Sequence, residues 1–247
     1  MSEQDTPFPV RRPLRSFVRR EGHFTPSQRR AVDQLLPNYE LTAGATDDGR
    51  LDLDQVFGRS APRTLEIGFG NGEVLAALAE ADPGRDFIGV EVYRPGLGRL
   101  LSRVAERGLD NVRVSGDDAV ELLDRRLADA SLDRILVFFP DPWPKKRHHK
   151  RRLIQVPFAR LLAGKLKPGG RLCLATDWQD YAEQMLAVME VTPGLRSLHP
   201  ATDGDGYAPR PDYRLLTRFE QRGRRLGHGV WDLEYERVAG VTSLPTS

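Results

Sequence analysis

Short apolar segments alternate with amphipathic segments along most of this chain. The segment from Leu132 to Phe139 is the most hydrophobic, which predicts a central strand. Strands that alternate with helices are typical of an α/β fold with a mostly parallel sheet and helices on both faces, whose ligands bind beyond the carboxyl ends of the strands. Strands are predicted at 63–67, 86–92, 111–115, 132–139 and 171–176, and helices at 73–80, 95–107, 119–127, 157–166 and 180–191.

The two ends of the chain differ from this pattern. Residues 1 to about 20 are rich in Pro and Arg and lack periodicity, which predicts a flexible basic arm. Thr25 and Pro26 provide a cap and a first helical residue for a short helix through about Leu36. Residues 43–60 are predicted to be a connection, and residues 214–235 to be extended or hairpin-like strands.

We therefore divide the 247 residues into two units, with the arm and short helix in residues 1–40 and one α/β domain in residues 41–247. The formal net charge is only +2, so the positive charge is local. A single cysteine excludes an intrachain disulfide, and no segment approaches the ~18 apolar residues of a membrane span. The N-terminus lacks an apolar signal sequence, so we expect a cytoplasmic protein with no membrane partner. Basic runs occupy 11–30, 145–152 and 214–225, each of which could be a solvated surface or a nucleic-acid contact.

Acidic residues follow or end the first three predicted strands. Glu66 stands before a turn with Gly68, Gly70 and Gly72, where it would repel a pyrophosphate but could pair with the amino group of a methionine moiety. Glu91 could accept hydrogen bonds from ribose hydroxyls, and Asp118 could reach an adenine amino group. Each acid could instead be a helix cap or a loop residue. Together they fit S-adenosylmethionine better than NAD.

The segment from Phe139 to Arg152 places one acid, Asp141, between prolines and beside a cationic run. Prolines restrict the backbone, so this carboxylate is presented on a stiff loop. A carboxylate beside six Lys/Arg and two His suggests chemistry on a nucleic acid. The adjacent pair His148 and His149 lacks metal-ligand spacing, so we expect no metal. Trp143 could be a stacking surface or a packing anchor.

These motifs resemble those of the bacterial tRNA (guanine-N7-)-methyltransferases, which have the class I S-adenosylmethionine-dependent fold. The resemblance covers roughly residues 14–237 and includes Phe139 to Arg152, the Asp177-Trp178 turn and the segment Thr217 to Glu220. It implies a Rossmann-like, mostly parallel seven-stranded sheet and makes residues 41–247 the methyltransferase domain. It also implies methyl transfer from S-adenosylmethionine to N7 of guanosine 46 in the variable loop of tRNA.

The resemblance also implies roles for individual residues. Asp141 would be catalytic. Cofactor contacts would come from Glu66, Gly68, Gly70, Gly72, Glu91, Asp118 and Asp141. Substrate contacts would come from Lys145, Asp177, Thr217, Arg218, Phe219 and Glu220, and RNA contacts from Arg147, His148, His149, Lys150, Arg151 and Arg152.

Guanine N7 has a lone pair and no proton, so in-line attack on the methyl group needs no strong base, and a carboxylate would stabilise the positive charge that develops. Alternatives are transfer to an exocyclic or amide nitrogen, methylation of another RNA, and a non-catalytic RNA-binding protein that kept the fold. A nicotinamide enzyme is disfavoured by Glu66. The oligomeric state stays open between monomer and homodimer.

Overall fold

The computed structural model describes residues 24–41, 46, 49–214, 220 and 229–239 of the chain. Its strands are β1 Arg63–Ile67, β2 Asp86–Val90, β3 Val112–Ser115, β4 Leu132–Phe138, β5 Leu166–Thr176, β6 Leu195–Ser197 and β7 Trp231–Arg237. Its α-helices are α1 Pro26–Tyr39, α2 Leu53–Phe57, α3 Glu73–Ala81, α4 Arg94–Glu106, α5 Ala119–Arg125, α6 Val156–Lys165 and α7 Gln179–Glu190. Short 3-10 helices cover Lys146–Arg151 and Ala201–Asp203.

In the described part of the chain, the seven strands form one sheet in the order β3-β2-β1-β4-β5-β7-β6. Strands β1 to β5 pair in parallel, and β7 runs antiparallel to both of its neighbours, β5 and β6. This arrangement confirms the predicted Rossmann-like, mostly parallel seven-stranded sheet.

Helices cover both faces of the sheet, and each face has its own apolar layer. Leu65, Ile135 and Leu172 pack on the side of α2, α5, α6 and α7. Phe87 packs on the opposite side with α1, α3 and α4. Because neighbouring side chains of a strand point to opposite faces, Glu66 points toward the α3 and α4 side of the sheet.

The strand order reverses beside β1, which is where this sheet is expected to bind a ligand. The chain runs outward from β1 to β2 and β3, and then returns to place β4 on the other side of β1. Such a reversal opens a crevice at the carboxyl ends of the strands. The loops that follow β1 and β4 contain Gly68 and Asp141, so both loops border this crevice.

Helix α1 begins where the sequence predicted and packs closely on α4. Thr25 caps it: the side chain of Thr25 accepts a hydrogen bond from the Gln28 amide at 3.3 Å, and the Gln28 side chain accepts one from the Thr25 amide at 3.0 Å. The helix continues to Tyr39, three residues past the predicted end. A Cβ on Gly98 of α4 would lie 2.6 Å from the Gln28 carbonyl oxygen, so only glycine permits this approach.

Two parts of the chain differ from the predictions or extend beyond them. The predicted connection 43–60 contains the helix α2. The Asp52 side chain caps its N-terminus, and Gly58, with a φ of 69°, follows its last residue as the C-terminal cap. A helix of five residues is too short to show periodicity, which is why the pattern missed it. In the tail, the strand prediction is right for β7, whereas residues 215–219 and 221–228 lie outside the described residues.

Candidate active site

The loop after β1 holds three glycines in the left-handed region. Gly68, Gly70 and Gly72 have φ angles of 75°, 56° and 69°, values that residues with a Cβ atom rarely adopt. A Cβ on Gly68 or Gly70 would meet no heavy atom within 4 Å, so the backbone there faces open space that a ligand can enter. A Cβ on Gly72 would instead lie 2.6 Å from the Leu100 Cβ, so this third glycine allows α3 to pack on α4.

Glu91, directly after β2, holds the glycine loop in place. Its Oε2 atom accepts a hydrogen bond from the Gly70 amide at 2.9 Å, and its Oε1 atom accepts one from the Tyr93 amide at 2.9 Å. Burial raises the pKa of Glu91, the amide hydrogen bonds oppose that shift, and the charge of Asp141 adds to it. Glu91 and Asp141 are therefore close enough to interact electrostatically.

Glu66 is a buried carboxylate whose hydrogen bonding is incomplete. Its side chain is buried, and its Oε2 atom has no hydrogen-bond partner among the described residues. Burial and then the charge of Glu91 raise the pKa of Glu66 to about 8. A buried acceptor without a donor is costly, so a cationic or N–H-bearing ligand group would be stabilised beside it.

Asp118 begins the helix that follows β3. Its Oδ1 atom accepts a hydrogen bond from the Val120 amide at 2.8 Å and a weaker one from the Glu121 amide at 3.4 Å. Asp117 is exposed and accepts a hydrogen bond from the Ser115 hydroxyl at 2.9 Å. The capping role that the sequence left open for Asp118 is thus present, and its contact with adenine stays a prediction.

Asp141 is exposed between two residues with an uncommon backbone conformation. Phe139 and Trp143 have φ of 53° and 43°, in a region that bulky residues rarely occupy. The Phe139 amide donates to the Ala175 carbonyl oxygen at 2.8 Å, which ties the start of this loop to β5. Such strained conformations cost about 1–3 kcal/mol each and persist only where the surroundings impose them. The loop therefore presents the carboxylate on a constrained backbone.

The cationic run after this loop folds into the 3-10 helix Lys146–Arg151 and surrounds an indole ring. The Arg151 guanidinium lies 5.1 Å from the centre of the Trp143 ring, and the His148 ring meets the indole edge-on at 5.9 Å. These contacts favour the packing alternative for Trp143. Desolvation and the neighbouring positive charges lower the pKa of His148. His148 and His149 are partly exposed, and the exposed cations of the run are Lys145, Lys146, Arg147, Lys150 and Arg151.

Arg152, the last residue of the run, differs from its neighbours. Its side chain is 1% exposed, whereas an RNA phosphate needs an accessible guanidinium. It is engaged with the Pro142 carbonyl oxygen and with side chains of α7. The Arg152 guanidinium is therefore occupied by intramolecular partners, and its contact with RNA stays a prediction.

Asp177 follows β5 at the same edge of the sheet as Asp141. Strands β4 and β5 are neighbours, with Phe138 opposite Ala175, so the two acids follow adjacent strand ends. The Trp178 amide donates to the Thr176 hydroxyl at 3.3 Å, which turns the chain into α7. Asp177 is partly exposed, so its predicted substrate contact is sterically open.

The other predicted substrate segment is described only at its end. Thr217, Arg218 and Phe219 lie outside the described residues. Glu220 is 1% exposed and accepts a hydrogen bond from Arg214 at 2.7 Å. This ion pair buries the Glu220 carboxylate, and its contact with the substrate stays a prediction.

Sequence reasoning missed the buried ionic cluster that holds Glu220. Arg214 donates from Nε and Nη2 to the two carboxylate oxygens of Asp232, each at 2.9 Å, and its guanidinium lies 5.3 Å from the centre of the Phe139 ring. The cluster therefore joins β7 to the loop that carries Asp141. The arginine lies in a predicted basic run, and only the tertiary structure distinguishes it from the exposed cations there.

A metal centre and a membrane-spanning helix are both absent from the part of the chain that the structure describes. Among the described residues, no group of three or more His, Cys, Asp or Glu side chains is arranged to hold a metal ion. Within the same residues, no helix is both long enough and apolar enough to span a bilayer.

The sheet order and the glycine loop define a class I methyltransferase fold, and solved structures agree. A 16S rRNA methyltransferase, KamB, superposes with a TM-score of 0.53 at 15% identity, covering 81% of this chain and 99% of that one. An aminoglycoside resistance methyltransferase gives a TM-score of 0.51 at 17% identity, covering 76% and 92%. At these identities the likeness establishes the fold alone.

Sequence comparison specifies the family. The family model Methyltransf_4, described as "Putative methyltransferase", matches residues 60–233. The tRNA (guanine-N(7)-)-methyltransferase of Pseudomonas putida strain W619 is 56% identical over 242 residues, which cover 95% of this chain and 98% of the relative. The enzyme of the same name from Pseudomonas fluorescens strain Pf0-1 is 56% identical and covers 92% of each chain. The chain therefore belongs to the tRNA (guanine-N(7)-)-methyltransferase family, which confirms the resemblance.

Proposed function

We propose that this protein transfers a methyl group from S-adenosylmethionine to N7 of guanosine 46 in the variable loop of tRNA. The observation that supports this most directly is a series of carboxylates at the crevice. Burial raises the pKa of both Glu91 and Glu66, and a smaller increase comes from the charge of Asp141 at Glu91 and from the charge of Glu91 at Glu66. Acids that destabilise one another's ionised forms are complementary to a cationic ligand. The names of the relatives supply the tRNA and guanine-N7 parts of the proposal.

The residues present fit the proposed cofactor. The open space at Gly68 and Gly70 allows close approach to the backbone, and the unsatisfied Oε2 atom of Glu66 could accept a hydrogen bond from the ammonium group. Glu91, fixed by two amides, would accept hydrogen bonds from the ribose hydroxyls, and Asp118 would face the adenine. The cofactor supplies a methyl group on a sulfonium sulfur; the N7–C bond forms while the C–S bond breaks and its electron pair remains on sulfur.

Asp141 is the group that we assign to catalysis. Methylation places a positive charge on the guanine ring, and an oriented carboxylate lowers the energy of that charge in the transition state. The strained residues on either side of Asp141 restrict its position, so little reorganisation is needed during the reaction. Asp177, after the neighbouring strand, would accept hydrogen bonds from the N1 and N2 edge of the same base.

The tRNA would lie along the cationic surface beside this carboxylate. Lys145, Arg147, Lys150 and Arg151 are exposed there, and His148 and His149 are partly exposed. Phosphate groups would be attracted to these side chains without regard to base sequence, and the basic arm of residues 1–40 would add to this attraction. Residues 41–247 would contribute the methyltransferase domain itself.

Two tRNA transcripts that differ only at position 46 would test the proposal. We expect labelled methyl transfer to the transcript with guanosine there and none to the transcript with adenosine, with the product cleaved by mild reduction and aniline, as N7-methylguanosine is. Label in both transcripts would move the target elsewhere. If neither transcript is labelled although the protein binds the cofactor, both transcripts are excluded as substrates.

The same assay tests the role of Asp141. Removing one preorganised electrostatic group typically lowers kcat by about 10²–10³-fold, which is the loss we expect for Asp141→Asn. Asp117→Asn is the matched control because Asp117 is an exposed acid that accepts a hydrogen bond from the Ser115 hydroxyl and lies outside the proposed catalytic loop. Wild-type turnover in Asp141→Asn would remove this residue from the catalytic role.

A further inference from the structure

We propose that Arg152 is a positioning residue that fixes the Asp141 loop to α7, and this inference rests on the proposed methyl transfer. Its Nε atom donates to the Pro142 carbonyl oxygen at 2.8 Å. Pro142 directly follows Asp141, so this hydrogen bond acts on the backbone that carries the carboxylate. Nothing in the sequence distinguishes Arg152 from the exposed cations before it.

The other end of the Arg152 guanidinium is anchored on α7. Its Nη1 atom donates to the Gln184 Oε1 atom at 2.7 Å, and its Nη2 atom donates to the Asp180 carboxylate. The Asp180 pKa is lowered, first of all by this hydrogen bond from Arg152. The planar guanidinium has N–H donors on several sides. A single arginine side chain can therefore bind the Pro142 carbonyl oxygen, Gln184 and Asp180 at once, whereas a lysine ammonium could not reach all three acceptors.

The support under the guanidinium is itself rigid. The Arg152 group lies 4.8 Å from the centre of the Tyr181 ring, and Tyr181 is fully buried. The Tyr181 hydroxyl accepts a hydrogen bond from the Ile154 amide at 3.0 Å, and the Gln184 side chain donates to the Ile154 carbonyl oxygen at 3.1 Å. The segment after Arg152 is therefore tied to the same helix as Arg152 itself.

These contacts fix the positions of Asp141 and Asp177 relative to each other. Helix α7 begins at Gln179, shortly after Asp177, while the Arg152 hydrogen bond acts on the residue after Asp141. The residue next to Pro142 is Trp143, whose φ of 43° has to be held by its surroundings. Without Arg152 the loop would relax, and a misplacement of about 1 Å can reduce a rate by about 10²-fold.

Two neighbouring arginines provide a matched test. We expect Arg152→Gln to lower kcat by about 10²-fold with the KM for tRNA and its salt dependence little changed. Arg151→Gln removes the same charge from the exposed surface, so it should raise the KM and reduce the salt dependence while kcat is retained. Lysine should rescue position 151 and fail to rescue position 152. A KM effect with unchanged kcat in Arg152→Gln would overturn the proposal and restore a phosphate contact.

A second variant and a structural readout keep the test decisive if Arg152→Gln does not fold. Asp180 is 58% exposed, so Asp180→Asn removes the charge of one anchor and weakens its hydrogen bond without burying a new group. Amide hydrogen exchange of residues 139–152 should become faster in Asp180→Asn, with kcat lowered about 3-fold to 10-fold. It should stay unchanged in Glu183→Gln, which alters an exposed acid of the same helix that accepts a hydrogen bond from Gln179. Unchanged exchange and kcat in Asp180→Asn would contradict the proposal.

The exchange measurement also separates this inference from the proposed function. If the wild-type protein methylates no tRNA but exchange of the loop still depends on Asp180 and Arg152, the proposed function fails and the anchoring stands. If methylation of guanosine 46 is observed and neither exchange nor kcat depends on these residues, the function stands and the anchoring fails.

Discussion

Glu66 in β1 and Glu91 directly after β2 lie on neighbouring parallel strands, and burial first, then the charge of Glu91, raises the pKa of the Glu66 carboxyl. Each carboxylate oxygen of Glu91 accepts a hydrogen bond from a backbone amide, whereas one oxygen of Glu66 has no hydrogen-bond partner among the described residues. The unliganded protein therefore holds an acid that is poorly stabilised when ionised. This imbalance leads to two predictions about pH.

The first concerns folding stability without ligand. The pKa of Glu66 is about 8 in the folded protein against an ordinary value of 4.5, so the native state binds more protons than the unfolded chain between these values. The free energy of unfolding should therefore fall as pH rises from about 5 to about 8, by at most about 1.4 kcal/mol per pH unit for this group. Urea unfolding across this range should show a flatter dependence in Glu66→Gln than in the wild type. A rise in wild-type stability over the same range would contradict the prediction.

The second concerns cofactor binding. A cation beside Glu66 stabilises its ionised form, so binding of S-adenosylmethionine near pH 7 should release about one proton. Calorimetry in two buffers with different ionisation enthalpies measures this proton directly. Glu66→Gln should bind more weakly and release almost none. Equal proton release by both proteins would show that the ammonium group does not approach Glu66.

A third prediction comes from the packing of α4 on the glycine loop. A Cβ on Gly96 would lie 2.1 Å from the Gly70 carbonyl oxygen, so Gly96→Ala has to displace the loop. Overpacking costs about 1–3 kcal/mol, which corresponds to a loss of cofactor affinity of about 5-fold to 150-fold if the cost acts on the binding conformation. Gly84→Ala is the control, since its Cβ would meet only the Asp82 side chain, at 3.5 Å. Equal affinities in titrations of the two variants would show that the loop adapts without cost.

The sequence located the acids at the crevice because parallel strands bring their carboxyl ends to one edge. Glu66, Glu91 and Asp141 were therefore found without coordinates. The burial of Arg152 could not be found in this way, because a cationic run has the same pattern whether a side chain faces solvent or bonds to Asp180, twenty-eight residues later. The buried pairing of Glu220 was missed for the same reason: its partner Arg214 was taken for one cation among several.

The exposed cations should determine how tRNA binding depends on salt. Each phosphate contact contributes a slope of about −0.7 to −0.9 in a plot of log K against log salt concentration. Replacing Arg147, Lys150 and Arg151 together by Gln should therefore reduce the slope by about 2. Three other arginines that are at least 38% exposed, Arg107, Arg125 and Arg196, provide a charge-matched triple control. Equal slopes for the two triple variants would place the tRNA elsewhere.

The buried cluster of Arg214, Asp232 and Glu220 should dominate the stability of the C-terminal part of the fold. Burial raises the pKa of Asp232 and the Arg214 charge opposes this shift, so the arginine favours the ionised form of a buried acid. Arg214→Met leaves two buried carboxylates without their main partner, and breaking a buried pair in this way costs about 3–5 kcal/mol. Because Asp232 would then lose the positive charge that favours its ionised form, the loss should grow as pH rises.

Arg196→Met provides the comparison for this change. Its partner is Glu236 at 3.5 Å and its side chain is 64% exposed, so the loss should be about 0–1 kcal/mol. Urea unfolding of both variants at two pH values measures the difference. Asp232→Asn in the Arg214→Met background should restore part of the stability, because it removes one of the uncompensated charges. If Arg214→Met costs no more than Arg196→Met, the cluster does not hold β7 to the Asp141 loop.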